Sequence, residues 1–359
     1  MNATEVNKKY FTKNLMDWHN TANQRELPWK EEKDPYKIWL SEIILQQTRA
    51  QQGLPYYLKF TEAFPTIQAL ANATDEEAFR LWQGLGYYNR CKNMLATARF
   101  ITNELNGDFP DTFEGLLQLK GIGPYTAAAI GSFAFGLPNA VVDGNVYRVL
   151  SRYFGIETPY DSNEGKKEFY TLAQHLLYPK DSAGYNQAIM DLGATVCTPA
   201  SPYCNDCPLQ AKCIAYKQQL ISYLPVKSKK IIVRKRYFNY ILLHSNNDTL
   251  WIHKRTGKDI WENLFQPYLI ESTESLDITQ LLKQPAFERL NTNGNKPEYE
   301  GHLTQRLTHQ LIETRFFSMH LKKPPKMAIE NGKWVPIGEL KNYAFPKTIV
   351  SFLKKKLYF

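Results

Sequence analysis

The chain has 359 residues, 43% hydrophobic and 22% charged, a length for two or three domains and a composition that excludes disorder over most of it. Lys and Arg number 44 against 35 Asp and Glu, leaving a net charge of +9 and a pI near 9.1, which favours a polyanionic partner, nucleic acid before membrane. No apolar run of about 18 residues predicts a transmembrane helix, and the opening MNATEVNKKYF lacks the apolar core of a secretory signal, so the expectation is a cytosolic protein, associated with the nucleoid.

Up to about residue 222 the pattern is helical, and clean period-2 strands are scarce. In DPYKIWLSEIILQQT, Asp34 is a candidate N-cap with Pro35 at the first helical position. Tyr36, Trp39, Leu40, Ile43 and Ile44 share one face of that helix; Glu42 falls off it, near Ile38, Leu45 and Gln46. If covered, Glu42 is desolvated and suited to act as a general acid near neutral pH. If not, it is a surface glutamate on an amphipathic helix. Thr74 and Glu77 form a capping-box pattern, which SNEGKKEFYTLAQHLL repeats less cleanly. In LKGIGPYTAAAIGSFAF, Gly121 and Gly123 flank Ile122 ahead of a small-residue helix. This is either an ordinary helix–helix turn or a hairpin whose free N–H groups take a phosphate.

Four of the five cysteines, Cys197, Cys204, Cys207 and Cys213, give C-x6-C-x2-C-x5-C; Cys91 stands apart as a plain thiol. An odd count argues against a disulfide framework. Four thiolates in one short loop suit a 4Fe–4S cluster or a structural zinc, and the spacing alone does not choose. The composition then shifts. PVKSKKIIVRKR, from Pro225 to Arg236, holds six basic residues and no acid, as a solvated linker or a phosphate-contacting one does. YFNYILLHS, DTLWIHKR and FQPYLIE read as strands, and Val350 to Phe359 as a helix with a basic tail at Lys354 to Lys356. The predicted division is therefore residues 1–223, a helical domain; 224–236, a linker; and 237–359, an α+β domain.

Three of these motifs together carry a resemblance. The cysteine spacing is similar to that of the endonuclease III/MutY group of DNA glycosylases. The glycine hairpin followed by Asp143 in VVDGNVYRVL resembles the helix–hairpin–helix–GPD signature, and SEIILQQTRA closely resembles the MutY segment around its catalytic glutamate. The resemblance implies an all-α, two-lobed helix–hairpin–helix domain with a 4Fe–4S loop, DNA lying in the cleft between lobes, and a smaller α+β Nudix-like domain clamping the far side of the duplex. It implies Glu42 as general acid and then base for water, and Asp143 as stabiliser of an oxocarbenium-like sugar or transient nucleophile, with Asn145 and Tyr125 orienting them. In the endonuclease III branch a lysine that forms a Schiff base occupies the position of Tyr125, and Lys120 does not match it. The implied enzyme is therefore monofunctional.

By the same resemblance, Arg25 and Trp29 of RELPWK line an adenine pocket, Gln47 and Tyr87 fill the duplex beside a flipped base, and Thr48 contacts its orphaned partner. Without it, Trp29 is core packing and the Tyr87–Tyr88 pair is packing beside glycines. IHKRTGKDIWENLFQPYLIE is similar to the MutT-like domain of this group, but no R-E-x2-E-E box occurs, so that domain is implied to recognise rather than hydrolyse. The matching lesion-probing loop carries Leu307, Thr308 and His309, with Leu307 in place of an aromatic. The implied substrate is double-stranded DNA with adenine opposite 8-oxoguanine or guanine, bound by a monomer. The rival readings are a bifunctional glycosylase–lyase, a non-catalytic iron–sulfur DNA-binding protein, and a Nudix hydrolase.

Overall fold

Helix caps set many of the element boundaries in the first half of the chain. Asp34 accepts from the Tyr36 amide at 2.9 Å, Thr74 and Glu77 close a reciprocal capping box, and Ser162 accepts from the Gly165 amide at 2.9 Å; each satisfies an amide that the helix leaves unpaired. The computed structural model describes residues 3–228, 233–245, 248–290, 295–321, 332–356 and 358. Residues 229–232 of the basic run, and 357 and 359 at the end of the chain, lie outside the described residues.

The helices run α1 (Ala3–Thr21), α2 (Pro35–Leu45), α3 (Ala50–Ala63), α4 (Ile67–Asn72), α5 (Asp75–Trp82), α6 (Asn89–Glu104), α7 (Phe113–Gln118), α8 (Pro124–Phe135), α9 (Gly144–Phe154), α10 (Asn163–Leu176), α11 (Ser182–Thr195) and α12 (Ile214–Lys217). After them come β1 (Arg234–Ser245), β2 (Thr249–Lys254), β3 (Phe265–Gln266), β4 (Tyr268–Ser272), α13 (Ile278–Leu282), α14 (Pro285–Glu288), β5 (Glu298–Arg306), β6 (Gln310–Leu321), β7 (Gly332–Pro336) and α15 (Lys347–Lys355). Two compact units result: Met1–Asn72 with Asn93–Lys229, and Ala73–Lys92 with Lys230–Phe359. Composition marks only the boundary near the basic run; the grouping of α5 with the second unit is a product of packing. Among the described residues no helix is long and apolar enough to cross a membrane.

The first unit is helical. One core gathers Phe11 and Leu15 of α1, Val149 and Leu150 of α9, Phe169 of α10 and Leu192 of α11. A second packs Ala128 and Ala129 of α8 on Val141. The small residues of α8 (Ala127 to Ala129, Gly131, Ser132) are buried, so helices approach closely there. This closeness explains a departure from the predicted amphipathicity. In α2 not one face but nearly every side is buried, Ile38 to Ile44 inclusive, with Ser41 and Glu42 among them.

In the second unit the described strands order β3-β2-β1-β6-β5, with β4 on β1 and β7 on β2. β1 runs parallel to β6 from Arg234↔Gln310 to Ser245↔Leu321. Successive side chains face opposite sides, and both faces are covered, which accounts for the nearly unbroken burial of β1. Ile241, Leu243, Phe317 and Met319 meet Leu281 of α13 and Phe287 of α14. On the other face Phe316 stacks on Phe352 of α15 at 3.8 Å between centroids.

Candidate active site

Three side chains of the first unit converge where α2, α8 and α9 meet. Glu42 is 6% exposed, and its carboxyl interacts with the Tyr125 hydroxyl at the start of α8. Burial pushes the Glu42 carboxyl up to about 7, the Tyr125 bond opposes the rise, and the nearby charge of Asp143 adds to it. Asp143 is the N-cap of α9. Its Oδ1 accepts from the amides of Asn145 and Val146, both at 2.8 Å, and its Oδ2 accepts from Asn145 Nδ2 at 2.7 Å. Burial raises this carboxyl too, against those three bonds and the Arg148 charge. The two acids differ in partners. Asp143 accepts these three hydrogen bonds from N–H groups at a helix N-terminus, an arrangement that suits a carboxylate. Glu42 faces a hydroxyl that serves either protonation state. Asn145 thus holds Asp143 through both its amide and its side chain.

One and two turns along α9, Arg148 and Arg152 reach the cysteine loop. Arg148 donates to Asn145 Oδ1 at 2.8 Å, the Gly193 carbonyl at 2.5 Å and the Cys197 carbonyl at 2.6 Å. Gly193 is required there, because an added Cβ would lie 2.6 Å from the Asn145 Cβ. Arg152 donates to the carbonyls of Thr198, Pro199 and Leu224 and to Cys197 Sγ at 3.5 Å. Both arginines are missed by motif reading, although two cations four residues apart without an acid on the same helix face are visible in VYRVLSRYF.

Cys197, Cys204, Cys207 and Cys213 line one cavity with Arg152, Tyr203 and Ile221. Burial pushes the thiols of Cys204, Cys207 and Cys213 up, Cys207 to about 12. Thiolates become favourable in such a place beside positive charge, as a metal centre or a guanidinium supplies. Among the described residues no three His, Cys, Asp or Glu side chains close around a single ion. A four-thiol cavity with a guanidinium at its wall fits a sulfur-ligated cluster in the chemistry of its donors.

The other expected residues fall as follows. Arg25 donates to Asp191 at 2.7 Å, and Lys30 lies 3.1 Å from the same fully buried carboxylate, which also accepts from Asn23 and Gln187. Asp191, which no motif marks, staples the RELPWK segment to α11. Trp29 meets Tyr57 edge-on at 5.2 Å. Gln47 and Tyr87 are exposed, and each has a left-handed backbone, φ 55° and 48°, which side chains other than glycine rarely adopt outside sites that demand it. Thr48 closes the turn after α2 through its amide to the Leu45 carbonyl. Gly121 has φ +81° and no room for a Cβ beside Asn93, while Gly123 is the N-cap of α8. Ile122 is buried between them. In the second unit, Thr308 and His309 are exposed in the β5–β6 hairpin, which the Leu307 amide closes onto the Gln310 carbonyl at 2.7 Å.

Two family descriptions and several known proteins match this chain. A family described as HhH-GPD superfamily base excision DNA repair protein matches residues 40–175, and a NUDIX domain matches residues 239–355. An adenine DNA glycosylase of Buchnera aphidicola subsp. Schizaphis graminum is 40% identical over 256 residues, 71% of this chain and 73% of that protein. The chain belongs to the adenine DNA glycosylase family. The Homo sapiens adenine DNA glycosylase is 42% identical over 214 residues, 57% of this chain and 39% of the human protein. Among solved structures, a thermostable thymine-DNA glycosylase superposes with a TM-score of 0.56 at 31% identity, covering 60% of this chain and all of that one. An endonuclease III in a non-covalent DNA complex superposes with a TM-score of 0.52 at 20% identity, covering 61% and 99%, a likeness of fold. The family's members are DNA glycosylases, and this chain has the helical domain followed by the sheet-containing Nudix-like domain that the hairpin, the aspartate and the strand pattern implied.

Proposed function

We propose that this glycosylase hydrolyses the N-glycosidic bond of adenine mispaired with 8-oxoguanine or guanine in double-stranded DNA. The observation that carries the reading is the burial of Glu42 beside the N-capping Asp143, which raises the Glu42 carboxyl to about 7. Adenine is a poor leaving group until a ring nitrogen is protonated. A carboxyl poised near neutrality supplies that proton, a contribution worth about 100- to 10,000-fold. The sugar left behind is oxocarbenium-like, and Asp143, held by Asn145, faces it as an anion, as in the paired carboxylates of glycosidases. Glu42 then takes the proton of the incoming water. Tyr125 forms no Schiff base, so the strand stays intact and the enzyme is monofunctional.

Residues 1–223 act as the catalytic domain in this reading, and 237–359 as the domain that senses the partner base through Thr308 and His309. Arg25 and Trp29 border the pocket for the flipped adenine, Gln47, Thr48 and Tyr87 occupy the opened duplex, and the amides around Gly121 and Gly123 hold a phosphate. Cys197, Cys204, Cys207 and Cys213 hold a 4Fe–4S cluster, which supplies a rigid anchor for its loop and no step of base removal. The protein works as a monomer, with the nucleoid, in the cytoplasm. Single-turnover reaction on a labelled duplex with adenine opposite 8-oxoguanine, half of each sample treated with hot alkali, tests the whole. Alkali-dependent breaks that vanish in Glu42→Gln are expected. Breaks without alkali would make the enzyme a lyase. Cleavage of a thymine:guanine duplex in preference to the adenine one would assign it the base named for its structural neighbour.

A further inference from the structure

Arg152 is 3% exposed. Its guanidinium donates to three backbone carbonyls and one sulfur: Leu224 at 3.1 Å, Thr198 at 2.7 Å, Pro199 at 2.8 Å and Cys197 Sγ at 3.5 Å. Among the described residues no Asp or Glu pairs with it, whereas Arg25 and Arg236 each pair with a carboxylate. A buried cation surrounded by neutral dipoles alone costs several kcal/mol. Of the four acceptors, only the sulfur can carry a full negative charge. Arg152 also lines the cavity that the four cysteines share, and the carbonyl of Arg152 itself lies 3.4 Å from Cys213 Sγ. Side chain and backbone of one residue thus touch two of the four ligands expected there.

We propose that Arg152 is the built-in counter-charge of the cysteine cavity, donating to the Cys197 thiolate and thereby setting both the reduction potential and the retention of the cluster held there. The inference rests on the 4Fe–4S reading above. A cation and a hydrogen bond at a ligand sulfur favour the more electron-rich state of a cluster, so they raise its potential and resist oxidation. Arg148 reaches the carbonyl of Cys197 and its charge also acts on that residue, so it separates charge alone from charge with a bond to sulfur.

The experiment compares purified holoprotein of the parent, R152Q, R152K and R148Q. It measures iron and sulfide per chain, midpoint potential by protein-film voltammetry, and bleaching of the visible absorption when ferricyanide takes one electron from the cluster. R152Q should bleach about 10- to 100-fold faster and show a lowered potential, R152K should stay nearer the parent because it keeps the charge, and R148Q, which leaves the bond to sulfur in place, should lower the potential less than R152Q does. R152Q equal to the parent in potential and bleaching overturns the proposal, as does R152K falling as far as R152Q. Should R152Q not fold, R152M takes its place as a neutral side chain of similar length: its potential must lie below the parent's, and an equal potential overturns the proposal. Parent protein without iron and sulfide would instead overturn the cluster reading itself.

Discussion

The hydroxyls of Tyr87 and Thr308 are hydrogen-bonded to each other within the second unit, although 221 residues separate them in sequence. One stands on the left-handed turn before α6, the other in the β5–β6 hairpin. The residue proposed to fill the duplex and the loop proposed to sense the partner base are therefore in direct contact. Tyr87→Phe and Thr308→Val each remove this bond. In a double-mutant cycle on affinity for an 8-oxoguanine duplex, the two should be non-additive by about 0.5–1.5 kcal/mol. Strict additivity would mean that the pair acts as two independent residues.

Glu42→Gln should cost about 100- to 10,000-fold in single-turnover rate and yet make the protein more stable above neutral pH. Glu42 is raised from 4.5 to about 7, so between those values the native state binds more protons than the unfolded chain. Its contribution to stability therefore falls as pH rises through that window and stays low above it. Removing the ionisable group should recover on the order of 3 kcal/mol at pH 8. Urea unfolding of both proteins at pH 5 and pH 8 checks this; equal stability at both would place Glu42 in a wetter setting.

The rate of base removal should fall tenfold per pH unit above about 7, where Glu42 loses its proton. A single-turnover profile from pH 5 to 9 measures it. A rate still climbing at pH 9 would require a different acid.

Asp143→Asn and Asp143→Ala separate charge from capping. Asparagine caps helices about as well as aspartate, whereas alanine costs about 1 kcal/mol. Both should lose activity to a similar degree, while only Asp143→Ala should lower the melting temperature appreciably. An active Asp143→Asn protein would remove the anion from the mechanism.

Gly121→Ala should destabilise by about 1–3 kcal/mol, because φ is +81° and the new Cβ would lie 2.9 Å from that of Asn93. Duplex affinity should fall with it, since the hairpin amides are displaced. Unchanged binding would take this hairpin out of the DNA interface.

Much of this was legible in the residues themselves. Asp34 and the Thr74–Glu77 pair announce their helices through side-chain chemistry that acts over three residues, and the four cysteines share a loop because their spacing is short. Glu42 was only half legible. Its periodicity places it off the apolar face, and its burial comes from α8, whose small side chains bring a second helix onto α2. Asp191 is a long-range case: nothing near it in sequence indicates that Arg25 and Lys30, more than 160 residues earlier, converge on it. The grouping of α5 with the sheet is of the same kind. It depends on pairs such as Glu76 with Lys254 and the Gln83 side chain with the Phe345 amide, whose members look like ordinary surface residues when read locally.

The dual use of Asp143, as helix cap and as reacting charge, bears on how variants of this protein should be sorted. A screen that ranks by folded yield would keep D143N beside the parent and favour E42Q over it, although both are expected to be inert. Abundance and repair capacity would part company at these two positions, and only an assay that scores released adenine would see the difference.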